Sequence, residues 1–299
     1  MIAVQIVRDS SNPVAPPTEG FKYVDQGNYV VLPFHGNGIT NVYSDGATSC
    51  IIAIAVGILK SGENGLALAH LDSDSCIDAF FEILRNSFND GVQLFAQGAN
   101  PPDNGTSKSN AAALNAAIKR VGPLVVDDGV KRLFLQEGPP KEANRGDFGI
   151  VLEGDRVTVT NQPYTLGLID RDPACGAQSI YCIMRRYEKP VVQLRDAMLP
   201  FTLDEIVELA QIALAFRKDP EDPTTAFTNI INLPNEDILK GWSTTPDDEA
   251  SCFSDQLKQA SCFALSMAPL VSLCGHSLIK PKGNAKLKAA KALAAGHPK

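Results

Sequence analysis

Two hydrophobic rhythms alternate along this chain. From Cys50 to Leu59 apolar residues run almost unbroken, rich in Ile, Val and Ala and without alternation, as in a strand buried on both faces. Ser61-Gly62-Glu63-Asn64-Gly65 then turns the chain, and Leu66 to His70 reads as the returning strand. Further strands are predicted at Ile2 to Val7, Tyr29 to Pro33, Val92 to Ala96 and Val130 to Leu135. Between them the spacing becomes helical. Ile77, Phe80, Phe81 and Leu84 follow a capping-box-like Ser75 and Asp78 and predict a helix to about Phe88, which Asn89-Asp90-Gly91 ends; a second is expected from about Ser109 to Arg120.

The pattern changes after Phe148. Phe148 to Leu152 and Arg156 to Thr160 flank Glu153-Gly154-Asp155, a hairpin signal, and Ser179 to Arg185 with Val191 to Arg195 suggest another around Lys189-Pro190. A helix is expected at Thr202, with Glu205 at the box position, and another at Thr245-Pro246. The fold class that follows is α+β, a central mixed sheet or two packed sheets with flanking helices. Residues 1–279 read as one domain with a Pro/Asp/Thr-rich connector at 219–236 as a lobe boundary, and residues 280–299 as a basic tail.

Composition narrows the classes. The net charge is −7, yet six lysines and no acid lie beyond residue 279, so the body carries about −13 and lacks the basic face that nucleic acid requires. No apolar run reaches the ~18–20 residues of a membrane span, and Arg8, Asp9 and the prolines after them interrupt a signal peptide's apolar centre. Seven irregularly spaced cysteines fit reduced thiols in the cytoplasm, with the nucleus a further location, rather than a disulfide framework. Four scattered histidines, His35, His70, His276 and His297, make no familiar zinc pattern, so neither metal nor cofactor is expected. Oligomeric state is not legible.

The chemistry concentrates at Ser44-Asp45-Gly46-Ala47-Thr48-Ser49-Cys50, a small-residue loop that delivers a thiol to the start of a buried strand, with His70 at the end of the next one. A cysteine nucleophile and its histidine base meet in this way when strand pairing brings them together. The plainer alternative is a buried core cysteine and a histidine bonded to backbone. Cys76, Cys252 and Cys262 read as helix-face residues, Cys182 as a strand residue, and Trp242 as core rather than as substrate entrance. Asn104-Gly105-Thr106 spells a glycosylation acceptor that carries no weight without a secretory signal.

The stretch from Ser44 to Ser73 resembles the active-site region of the protein N-terminal asparagine amidohydrolases, which show Ser-Asp-x-Ala-Thr-x-Cys, a hydrophobic strand and Leu-x-His-x-Asp. Here these are Ser44, Asp45, Ala47, Thr48 and Cys50, then Leu68, His70 and Asp72. A second similarity covers Asp237 to Leu265, with Ile238-Leu239 and Ser243-Thr244-x-Pro246. Weaker similarity lies at Phe148 to Asn161 and Ser179 to Tyr187. The resemblance implies removal of ammonia from an N-terminal asparagine, in proteins or peptides, by Cys50 with His70 as base. Ser44 would complete the triad, by further similarity to chemotaxis receptor glutamine deamidases and cytotoxic necrotizing factor toxins. Asp45, Asp72, Thr48 and Ser49 would line the substrate site, with Asp45 favoured to hold the α-ammonium. The aspartate product would feed an amino-end degradation pathway. Deamidation of an internal glutamine, a non-catalytic binder of the same fold, and a papain-like protease are the rival readings.

Overall fold

The computed structural model describes residues 2–8, 12–126, 133–138, 146–154, 156–184, 194–215 and 227–273. Two mixed sheets face each other, as expected of the α+β class. The five-stranded sheet has the order β1 (Val4–Val7), β10 (Arg156–Thr160), β9 (Phe148–Glu153), β4 (Asn41–Ser44) and β2 (Phe21–Tyr23). The six-stranded sheet has the order β11 (Arg195–Asp196), β3 (Asn28–Pro33), β6 (Asn64–Leu71), β5 (Ile51–Ile58), β7 (Gln93–Gly98) and β8 (Leu133–Leu135).

Strand β5 sits at the centre of its sheet, antiparallel to both β6 and β7, and its unbroken apolar run serves two cores. Ile51, Ala53 and Ala55 point to helices α1 (Asp74–Ser87) and α2 (Gly105–Val121), while Ile52, Ile54 and Val56 point between the sheets. The small alanines let the helices approach; the bulky residues fill the gap between sheets, where Val42, Phe95, Phe148 and Ile150 meet them. Burial on both faces removes the need for alternation.

A helical layer completes the fold: α3 (Pro173–Met184), α4 (Leu203–Ala215), α5 (Phe227–Asn232), α6 (Asn235–Trp242), α7 (Phe253–Ser266) and α8 (Ala268–Leu273). Its core joins Ala174, Ala177 and Ile180 to Leu209, Trp242, Leu257 and Ala260. A Cβ on Gly176 would stand 2.9 Å from that of Ala260, so the glycine sets how closely α3 and α7 pack. Among the described residues no helix is long and apolar enough to cross a membrane.

Several expectations need correction. Residues 179–184 are helical: they continue α3, whose Ala174, Ala177 and Ile180 fall at helical spacing and pack with Leu257 and Ala260 of α7, and this burial outweighs the strand preference of Ile180; Cys182 is accordingly in a helix. Residues 185–193, and with them most of the expected partner strand Val191 to Arg195, lie outside the described residues; its last residue, Arg195, forms with Asp196 a short strand paired with β3. The helix expected at Thr245 begins at Phe253, since Thr245 and Ser243 spend their hydrogen-bonding groups on a loop. Helix α2 begins four residues earlier than predicted, with Asn104 accepting from the N–H groups of Thr106 and Ser107. The apparent glycosylation sequence is thus an N-cap. Helix α1 starts after Ser73 rather than at Ser75. The box of Thr202 and Glu205 forms as expected. Within the expected connector, 227–232 is helical and Asn235 opens α6, while 219–226 and the tail 280–299 lie outside the described residues.

Candidate active site

Strand alternation decides which side chains can meet. Val42 fills the core between the sheets, so Ser44, two residues on, points there as well; Leu68 does the same for His70, and Ile52 for Cys50. Ile52 is paired with His70 and Ile51 with Leu71, which places Cys50 diagonally across from His70 on one face. Residues in that relation have Cα atoms roughly 7–8 Å apart, within reach of long side chains. Cys50 and His70 both line one cavity of about 710 Å³, within the usual size of a small-molecule site.

Ser44 closes the group from the opposite sheet. Its Oγ lies 2.6 Å from the carbonyl of Val24 and 2.9 Å from Nδ1 of His70. The hydroxyl has one proton, and the carbonyl can only accept; hence the proton goes to Val24 and Oγ accepts from Nδ1–H. This fixes the tautomer. Nε2 then carries the lone pair, and it is buried without a partner among the described residues, His70 being 4% exposed. Burial lowers the imidazole pKa to about 4 and pushes the Cys50 thiol well above its ordinary value, helped by the negative charges of Asp72 and Glu249. Both groups are therefore neutral at rest.

The loop that carries Cys50 is clamped on three sides. Ala99 donates to the Cys50 carbonyl at 2.7 Å, Asn100 to that of Thr48 at 2.8 Å, and Asn110 of α2 to that of Ser49 at 2.9 Å. Gly98, at φ +125°, is required here, since a Cβ would lie 2.2 Å from the Cys50 carbonyl oxygen. The N–H groups of Ser49 and Cys50 have no backbone acceptor among the described residues.

The third side is the loop from Trp242 to Glu249. Thr244 shares a hydrogen bond with the Ser49 hydroxyl at 2.7 Å, and Thr245 donates to the Thr48 hydroxyl at 2.8 Å. The two segments that carry the resemblance, almost 200 residues apart in sequence, thus join directly at the thiol loop. Thr48 and Ser49 line the cavity while serving as these anchors.

Asp45 and Asp72 also line the cavity, in different states. Asp45 is held by Arg171 through two bonds of 2.9 and 2.6 Å, and Tyr23 donates to it at 2.7 Å. Its charge is already matched. Among the described residues Asp72 receives only neutral donors: Gln26 at 3.2 Å, Ser73 at 3.0 Å and Cys76 at 3.1 Å. Cys76 and Cys175 are buried on their helices, and Trp242 both packs in the helical core and borders the cavity. His35 is exposed away from the site, and His276 lies outside the described residues.

Sequence reasoning missed Tyr23, Asp25, Arg171 and Glu249, all at the cavity. Burial raises the Asp25 carboxyl to about 7, against the opposing pull of Arg171. Only the Arg171–Asp45 pair had a sequence signal, an acid flanking the thiol loop in need of a partner. Among the described residues no cluster of three or more His, Cys, Asp or Glu side chains is placed to hold a metal ion. Comparison with protein-family models gives no match, and comparison with curated proteins gives none either.

Proposed function

We propose that this protein is a thiol amidohydrolase that converts an N-terminal asparagine of a protein or peptide to aspartate, with release of ammonia. The observation that supports it best is the Ser44-fixed tautomer of His70, which leaves an unpartnered base in the cavity that Cys50 lines.

With both groups neutral at rest, the thiol proton passes to Nε2 as sulfur attacks the side-chain carbonyl carbon. The N–H groups of Ser49 and Cys50 are the donors available to the developing oxyanion. Nε2–H then protonates the departing nitrogen, ammonia leaves, and a thioester remains on Cys50. Water gives its proton to Nε2 and attacks the thioester; the acid forms and the thiol is restored. Throughout, Ser44 accepts from Nδ1–H, a bond that strengthens while the ring is cationic.

Incubation of an Asn-headed peptide should release ammonia and raise the peptide mass by about one dalton, and Cys50→Ala should abolish both. Peptides headed by Gln or carrying Asn internally separate the rival amide substrates, and a cleaved chain would indicate a protease. No mass change with any amide would end the proposal.

A further inference from the structure

Six carboxylates line the cavity, Asp25, Asp45, Asp72, Asp74, Asp172 and Glu249, against Arg171 as the one Lys or Arg among the described lining residues. Arg171 is spent on Asp45, and among the described lining residues Asp72 and Glu249, the two acids whose charge acts on the Cys50 thiol, have no lysine or arginine of their own. The same cavity holds the buried, unpartnered Nε2 of His70, which marks it as a place for a ligand rather than a solvated acidic surface. What enters should carry positive charge next to the atom on which the chemistry acts.

Resting on the proposed activity, we infer that Glu249 is the receptor for the substrate's α-ammonium and so the residue that restricts the enzyme to chain termini, with Asp72 as a second acid of the same cavity. Glu249 is set in place by Ser243, which donates to Oε1 at 2.5 Å, while the Thr245 hydroxyl, whose one proton goes to Thr48 at 2.8 Å, borders the same oxygen at 3.3 Å. Both contacts are made to Oε1, which leaves Oε2 without a hydrogen bond among the described residues. Thr245 in turn bonds Thr48, two residues before Cys50, so the position of the carboxylate is tied to that of the sulfur. Asp72 follows the last residue of β6, as Cys50 precedes the first of β5, next to the terminal pair Ile51–Leu71. Asp45, held on both oxygens by Arg171, would have to break an ion pair to serve.

The arrangement also couples binding to chemistry. Asp72 and Glu249 are the charges that most oppose ionisation of Cys50. An ammonium beside them cancels their field and eases formation of the thiolate, whereas an acetylated terminus brings no charge. The free terminus would therefore be favoured twice, once in binding and once in the attack.

The experiment compares kcat/KM for an Asn-headed peptide and its N-acetylated form in the wild type, Glu249→Gln and Glu249→Asp. The wild type should favour the free terminus, Glu249→Gln should lose roughly 10- to 100-fold of that ratio, the worth of one charged hydrogen bond, and Glu249→Asp should keep most of it. Titration of both peptides into Cys50→Ala, with and without Glu249→Gln, reads the same preference in binding without turnover, and circular dichroism establishes that each variant folds. A Glu249→Gln protein that is folded and retains the full preference overturns the assignment while leaving the proposed activity intact. Wild type that acts equally on both peptides also overturns it, and wild type inert to every amide removes the underlying reading instead. If Glu249→Gln does not fold, loss of the preference in Glu249→Asp, which keeps the charge, would count against the assignment.

Discussion

Replacement of Ser44 by Ala tests the geometry on which the site depends. Ser44 is fully buried, and its hydroxyl joins Val24 at 2.6 Å to His70 at 2.9 Å. Its removal leaves a buried carbonyl and a buried N–H unpaired, each costing about 1–3 kcal/mol; a combined loss near 3 kcal/mol corresponds to a fall in melting temperature of roughly 5–10 °C for a domain of this size. The catalytic loss is separate. Nδ1–H bonds a neutral ring at rest and a cationic ring during attack, and the difference between a neutral and a charge-assisted bond is about 1–2 kcal/mol, roughly 5- to 30-fold in rate. Because this difference exists only when the ring is protonated, kcat should fall while KM stays within twofold. Thermal unfolding and ammonia release on one Asn-headed peptide measure both effects. A Ser44→Ala protein with wild-type kcat, or one altered only in KM, would refute the assigned tautomer.

Two further outcomes follow from the same geometry. His70 has a folded pKa of about 4, below its unfolded value near 6.5, so the unfolded chain binds more protons in that window. Stability should therefore fall as pH drops from about 6.5 to 4, by roughly 3 kcal/mol, and level off below; Asp25, raised to about 7, acts in the opposite sense, so the measurement is the difference between wild type and His70→Asn in denaturant titrations. A His70→Asn protein with the wild-type slope would count against burial of a neutral imidazole. Gly98→Ala places a methyl group 2.2 Å from the Cys50 carbonyl at φ +125°. It should cost about 2–4 kcal/mol and displace the thiol, with activity reduced at least tenfold, as read by chemical denaturation and ammonia release; unchanged values in both would show the loop to be free of that constraint.

Legibility in the sequence followed the range of the forces involved. The strands β5 and β6 were plain because a ten-residue apolar run, a glycine-bearing turn and a second run are local signals. The hairpin of β9 and β10 was marked by Gly154, and the box at Thr202 by its own spacing. Strand β4 was not: Asn41-Val42-Tyr43-Ser44 has polar ends and four residues, and it is a strand because β9 and β2 flank it. For the same reason Ser44 read as the start of a loop when it is the last residue of a strand. Helix α3 was misread because its register against α7 rests on Gly176 and Ala260, 84 positions apart and invisible to any local window.

At the site, the small-residue loop before Cys50, the apolar runs on either side of the turn and the resemblance were enough to single out Ser44, Cys50 and His70 as candidates, and strand parity explains why they share a face. Parity says nothing about charge partners from elsewhere in the chain. Arg171 reaches Asp45 from 126 positions away, and Thr244 and Thr245 bring Glu249 to the thiol from nearly 200. Local pattern thus determined which residues share a face, while only the packing of the two sheets and the helical layer decided which carboxylate is neutralised and which is left open, because electrostatic pairing depends on distance in space.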